Sequence, residues 1–570
     1  MKKITSIALA TLMVGSMAVA TGCGGNGAEG SGEFVTINVM NTGGGIGRVW
    51  LDEAIKRYQE DNPNVSIEVE HNIQTGVETM ESSGYHLYFV EDNGTVLELT
   101  AEKKLLDITD VVTTKDETRD GVQISVLDKV DESYRFAMQG GDGKYYALPH
   151  FTFFPGLTYD AELFDSKGYY IADYSLSTTE TKPFTCKFGT ANFVKDANTK
   201  KSLGNDGIAN TADDGLPSSL VEFLVLCSKM KSEGVVPFEL NGRSKHYISY
   251  LIRSIWTSLS GYETMSGTYT YDKEMEIVTE DVTQSTELLF SGVNYIKKPI
   301  TEKVTLTEET GYLAYDNVNR YYATMLVEIL NREGWLSTDS TGNATHIDAQ
   351  MNFVFGGNRG KQAYGMLIEG NYWYNESVDN YVMQDYYDYT GNASRNIKWM
   401  PLPTSFDKPV KTAGEGREFA MIDACGNSLA FINNNIKEDE TLVQACKDFL
   451  RFLYTDAELS HFVGATGVLK AALDFEVLSE DTERLSSFQK SVLDVYAGSK
   501  LLYSAASNTT FRLHANELAI NGRHSTLKPQ LGGIAWNNYL DCIRGNHTAA
   551  EIFENVRFDR TEWLEYYYEG

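Results

Sequence analysis

The stretch EFVTINVM, residues 33 to 40, runs into a glycine-rich turn, NTGGGIG, then into RVWLDEAIKRYQEDNP and NVSIEVE. This order constrains the fold more than any other feature of the chain. Val35, Ile37 and Val39 alternate with Phe34, Thr36 and Asn38, the period of two that marks a strand. Leu51, Ala54, Ile55 and Tyr58 then fall at helical spacing, and Asn62-Pro63 stops the run. NVSIEVE supplies a second strand, and YHLYFVEDNGTVLELTAEKKLLDITDVV repeats strand, turn and helix. Such alternation predicts an α/β fold with a mostly parallel sheet, whose ligands gather at the carboxyl ends of the strands. The GGG turn has neither a GxGxxG pattern nor a P-loop lysine, so it does not read as a phosphate cradle.

Upstream lies MKKITSIALATLMVGSMAVATG, in which Lys2 and Lys3 precede an apolar run from Ile4 to Ala20. A short positive start and a short apolar core are the order of a secretory leader, too brief to be a permanent membrane span. Ala20, Thr21 and Gly22 stand before Cys23, as in a bacterial lipobox, where the cysteine is acylated and becomes the first residue. An ordinary cleaved leader followed by an unpaired cysteine is the alternative. GGNGAEGSG then reads as a flexible tether. The expected parts are a leader at 1–22, a lipidated Cys23 with a tether to 33, and a body held at the extracellular face of the membrane.

With 570 residues the chain has room for more than one lobe. Its formal net charge of −30 argues against nucleic acid, which needs a basic patch, and against electrostatic adhesion to anionic lipid. Beyond Cys23 the cysteines are Cys186, Cys227, Cys425, Cys446 and Cys542, an odd and scattered set that reads as buried thiols. No CxxC, HExxH or GxSxG motif occurs.

Later stretches carry a resemblance. They are GDGKYYALPHFTFFPGLTYDAELFDSKGY, DDGLPSSLVEFLVLCSKMKSEGVVPF, GKQAYGMLIEGNYWYNE, WMPLPT and IAWNNYLDCIRGNHTAAEIF. Together with the opening strand and helix, and in this order, the chain resembles the extracellular solute-binding proteins of bacterial ABC importers. The likeness is to the carbohydrate-binding group that includes maltose-binding protein. It departs at Leu220, where the group usually has Trp, and in extra length near 165–215 and 265–350. The resemblance implies a two-lobe periplasmic-binding-protein-like fold of type II, each lobe a mostly parallel sheet flanked by helices. Lobe 1 is expected at 34–155 plus 400–475, and lobe 2 at 156–399 plus 476–570. Crossovers are expected near Leu148–Leu157, Met400–Pro403 and residue 475. Within LPSSLVEFLVLCSKMKSEG, Ser219 and Glu222 form a capping box, and Gly234 can end the helix left-handed.

Holding a sugar takes flat rings for its C–H faces and amide or charged partners for its hydroxyls. In the resembling motif a ring two places after Gly370 lines the cleft, which points to Tyr372 and then Trp373. Trp536 holds the position of another cleft ring, and Trp50 and Trp256 are further candidates. Polar partners are expected from loops after strands: Asn41, Thr42 and Arg48; Glu91, Asp92 and Asn93; His150 on the first crossover; Glu415 and Arg417. The segment 195–217 gathers Asp196, Asn198, Asp206, Asn210, Asp213 and Asp214 among glycines. Those oxygens suit structural calcium, although the EF-hand register is missing and Asp and Asn equally favour ordinary turns.

The expectation is a non-catalytic, monomeric receptor that requires no cofactor. It would capture a sugar or oligosaccharide outside the cell, deliver it to the permease subunits of an ABC transporter, and bind no nucleic acid. An extracellular glycosidase, a binding protein for peptides or another small solute, and a sensor using the same fold are the rivals.

Overall fold

The computed structural model describes residues 34–71, 80–90, 96–392, 395–423, 428–503 and 542–564, apart from a few single positions within them. The strands that position the site are, in chain order, β1 (Val35–Asn41), β2 (Val65–His71), β3 (Leu87–Val90), β4 (Leu148–Pro149), β5 (Pro155–Asp160) and β6 (Val236–Glu239). They continue with β7 (Tyr364–Gly370), β8 (Ile397–Met400), β9 (Phe419–Asp423), β10 (Leu429–Ile432) and β11 (Ser499–Tyr503). The helices used below are α1 (Val49–Asp61), α2 (Leu220–Ser232), α3 (Lys245–Thr270), α4 (His346–Phe355), α5 (Trp373–Asp379), α6 (Glu440–Phe452), α7 (Asp456–Thr466) and α8 (Ser487–Ala497).

A smaller body is built on the sheet β2-β1-β3-β10-β4. Val35, Ile37 and Val39 are the buried residues of the alternating β1 segment, which pairs in parallel with β2 and β3. A tight turn cannot join parallel neighbours, so α1 carries the chain back. The helix buries Trp50, Leu51, Ala54, Ile55 and Tyr58, with the Tyr58 ring 5.0 Å from Phe449 of α6. A larger body is built on β6-β7-β5-β8, with α2, α3 and α8 contributing to its core. There Ser219 and Glu222 cap α2 reciprocally, and Gly234 past its end is left-handed (φ +78°).

In each sheet all strands but one point the same way. The exceptions are β10, antiparallel to β3 and β4, and β5, antiparallel to β7 and β8. Each enters directly from a passage between the bodies, so it starts where its neighbours end: Leu429 faces Val90 and Pro149, and Pro155 faces Gly370. The carboxyl ends of both sheets are thereby turned toward the passages.

The chain crosses outward at Pro149–Pro155. It returns through β9, passes outward again between Leu473 of the smaller core and Phe488 of the larger one, beyond the expected residue 475, and returns through β11, which pairs in parallel with β9 from Phe419 opposite Ser499 to Asp423 opposite Tyr503. The return begins at Phe419, well past the Met400–Pro403 expected from the sequence. Leu402 is buried in the larger core, Asn205 Nδ2 donates to its carbonyl at 3.0 Å, and Ser258 Oγ donates to the Pro403 carbonyl at 2.9 Å, which holds this stretch back. Cys227 and Cys446 are fully buried thiols. No described helix is long and apolar enough to cross a membrane.

Candidate functional site

The carboxyl end of β1 and that of β7 meet beside the first crossing. Asn41 ends β1 fully buried, its amide turned to the glycine turn that follows: Oδ1 accepts from the Gly43 N–H at 3.2 Å, and Nδ2 lies 3.2 Å from His71 Nδ1. Gly43, Gly45 and Gly47 all adopt left-handed φ near +70 to +82°. Gly45 has a second reason to be glycine. A Cβ there would stand 2.1 Å from Tyr372 Cδ2, so the tyrosine of the larger body lies directly on the turn of the smaller one. Gly47 is similarly approached by Asp379 Oδ2.

Tyr372 is positioned by its neighbour. Asn371 Nδ2 donates to the Thr152 carbonyl at 3.2 Å and its Oδ1 accepts from the Phe154 N–H at 3.2 Å, which pins the end of β7 to the crossing strand. The Tyr372 ring then packs 5.0 Å from Phe153, which meets Tyr250 edge-on at 5.1 Å, and Tyr247 lies 5.7 Å from Tyr250. Tyr372 and Tyr250 are only half-buried, and rings held in this way present faces to an apolar partner.

Carboxylates border the aromatic group. Glu369, fully buried near the end of β7, is held well above the ordinary range, first by burial and then by the charge of Glu376, against donors from Gln350, the Gly370 N–H and Tyr247. Burial raises Glu376 as well. A raised carboxylate keeps its proton in the fold while the unfolded chain ionises, so its stabilising contribution is present below the ordinary value near 4.5 and lost as pH rises above it. Stability relative to Glu369→Gln is therefore expected to fall with rising pH, by up to about 1.4 kcal/mol per unit within the titration window. Denaturant midpoints of the two proteins compared from pH 4.5 to 8 check this, and parallel curves would refute it.

The other expected site residues fall elsewhere. Trp373 is fully buried and donates from Nε1 to Thr158 Oγ1 at 2.9 Å, inside the larger core. Trp50 is a core ring of the smaller body, 5.2 Å from Phe89 and 5.1 Å from Phe462, because it sits on the inner face of α1. Trp256 is buried against Tyr315. His150 is buried beside Lys470 Nζ at 3.1 Å; burial first, and then the lysine, hold it well below the ordinary imidazole range. Arg48 points outward and pairs with Asp52 on its own helix.

Glu415 caps its own turn through the Lys411 N–H, and Arg417 Nη1 donates to the Lys408 carbonyl, with the Arg417 N–H bonded to Asn205 on the 195–217 segment. In that segment each aspartate already accepts from the backbone, and Asp214 Oδ1 is buried without a partner. Asp196 Oδ1 accepts from the Asn198 N–H, Asp206 Oδ1 from Ile208, Asp213 Oδ2 from Asn205 and Asp206, and Asp214 Oδ2 from Asn210. Among the described residues no three acidic, His or Cys side chains gather as a metal ligand set. Cys23, Glu91, Asp92, Asn93 and Trp536 lie outside the described residues.

Phe153, Tyr247, Tyr250, Glu369 and Glu376 were not legible as site residues. The paired aromatics of HFTFFPG and the YISY spacing were the available signals. Phe153 and Phe154 are successive residues of an extended stretch and so face opposite ways. The second meets Tyr496, where a hollow of about 710 Å³ opens, lined among others by Asp131, Tyr262, Tyr496, Lys500 and Tyr503.

No family model matches this sequence, and no curated protein matches it. Solved structures do. A chitin oligosaccharide binding protein superimposes with a TM-score of 0.53 at 13% identity, over 94% of this chain and 100% of that one. A protein of Streptomyces coelicolor described as a probable secreted solute-binding lipoprotein gives a TM-score of 0.50 at 14% identity, over 94% and 98%. The fold is thus the two-lobed one of solute-binding proteins, across nearly the whole length.

Proposed function

We propose that this chain is a substrate-binding lipoprotein, anchored through Cys23 at the extracellular face of the membrane. In this reading it captures a sugar or oligosaccharide between its two lobes and hands it to the permease of an ABC transporter. The observation that carries the reading is the Phe153–Tyr250–Tyr372 group set against the Gly43–Gly47 turn, where the carboxyl ends of strands from both sheets converge. The fold, the leader with its lipobox and the likeness to an oligosaccharide-binding protein and a solute-binding lipoprotein support it. Binding works by closure: a ligand that touches both lobes favours the state in which they meet, and no covalent step is needed.

Calorimetric titration of the protein with a panel of oligosaccharides, with recovery of the ligand, tests this. Tight binding of an intact sugar is expected. Cleaved sugar would move the assignment to a glycosidase, whose paired carboxylates sit about 5–10 Å apart across the scissile bond, and silence across the panel would favour peptides or another solute. Tyr372→Ala is expected to weaken the bound sugar about tenfold or more, about 1.4 kcal/mol, with the far-UV spectrum unchanged. Unaltered affinity in that variant would place the ligand elsewhere.

A further inference from the structure

Glu369 and Glu376 flank Tyr372 in sequence, one near the end of β7 and one on the first turn of α5. A single amide serves both. Gln350 of α4, fully buried, donates from Nε2 to Glu369 Oε1 at 3.3 Å and to Glu376 Oε2 at 3.0 Å. Its other end, Oε1, is buried with no hydrogen-bond partner. Tyr247 and the Gly370 N–H add donors to Glu369. On Glu376 act the imidazole of His346 and the negative charge of Asp379. Among the described residues neither glutamate forms an ion pair with lysine or arginine, and no metal ligand set is present.

Two carboxylates sharing one neutral donor repel each other, and burying their charge without a partner is unfavourable. An orphaned amide oxygen beside them adds a third acceptor with nothing to accept. Once ionised, the two glutamates and the amide oxygen offer three acceptors and negative charge, the complement of one chemical group: an ammonium has three N–H donors, one positive charge and no acceptor. A hydroxyl brings one donor and no charge, and an N-acetyl group one N–H and no charge. Glu376 is only partly covered, and Tyr372 between the two glutamates in sequence is half-buried.

We propose that this cleft selects a glycan carrying a free amino group, an amino sugar whose ammonium docks on Glu376, Glu369 and Gln350 Oε1 while its ring stacks on Tyr372. The proposal rests on the sugar-binding reading above and names its substrate class. Docking of an ammonium favours the ionised form of the glutamate pair, so a proton leaves the site as the ligand binds.

The full-length protein is titrated calorimetrically at pH 6.5 with a glucosamine trimer, its fully N-acetylated counterpart and maltotriose. The amino trimer is expected to bind at least tenfold tighter than the other two, and Glu376→Gln to abolish that preference while Tyr372→Ala weakens all three. Equal affinities, or a preference that survives Glu376→Gln, overturn the proposal and leave the sugar-binding reading standing. Binding of no glycan at all removes that reading and the proposal with it. Wild type alone gives a second readout should the variant fail to fold. In buffers of different ionisation enthalpy, proton release with the amino trimer and none with maltotriose is expected, and equal proton exchange with both overturns the proposal.

Discussion

Trp373→Ala is expected to cost the larger body about 3–5 kcal/mol, the range for removing a fully buried tryptophan. The side chain starts α5 and reaches into the core, where its ring meets Phe488 of α8 at 5.4 Å and Phe353 of α4 at 6.3 Å. Its Nε1 donates to Thr158 on β5, itself fully buried, so truncation leaves a cavity and an unsatisfied hydroxyl together. The urea midpoint of the transition belonging to this body reports the loss. Trp373→Phe separates packing from binding: it keeps most of the volume, gives up about 1 kcal/mol with the hydrogen bond, and should leave ligand affinity unchanged. A tenfold loss of affinity in Trp373→Phe would show that the indole touches ligand after all.

Arg395→Met is the second large effect, expected at about 3–5 kcal/mol because it strands a buried charge. The guanidinium is almost wholly buried and grips Asp160 through Nη1 at 3.3 Å and Nη2 at 2.9 Å, Glu162 through Nη1 at 2.9 Å, and the Val354 carbonyl through Nε at 3.1 Å. Asp160 at the same time caps the helix Ala161–Lys167 by accepting from the Leu163 N–H. Burial raises Asp160 above the ordinary carboxylate range despite the pull of Arg395, so without the arginine the acid is left buried and unpaired. Adding Asp160→Asn should return most of the loss, since asparagine still caps the helix and carries no charge. Equal denaturant midpoints for the single and double variants would contradict this account.

Much of the architecture was readable because it follows from local periodicity. Val35, Ile37 and Val39 on β1, and Leu51, Ala54, Ile55 and Tyr58 on α1, are buried where the spacing puts them. A strand followed by a helix and another strand leaves little choice but parallel pairing. The capping box at Ser219 and Glu222 is equally local, spanning three residues and formed by their own backbone and side chains.

The site was readable only in part. Tyr372 and Trp373 are adjacent and both aromatic, and their motif does not distinguish them. On entering a helix, successive side chains diverge by about 100°, so one ring turns to Gly45 across the junction and the other into the core beneath β5. Trp50 shows the same ambiguity, since a ring at the start of α1 can line a cleft or fill the core, and the packing of Phe89 and Phe462 decides. His150 is drawn inward by Lys470, more than three hundred residues away in the chain.

The sequence by itself determined the alternating elements and the capping box, since each depends on residues within a few turns of one another. Only the tertiary structure decided that Glu369 and Glu376 share the amide donor of Gln350 and that Tyr372 rests on Gly45. Those contacts join separate elements, and in the second case separate bodies, across sequence distances that no local spacing encodes.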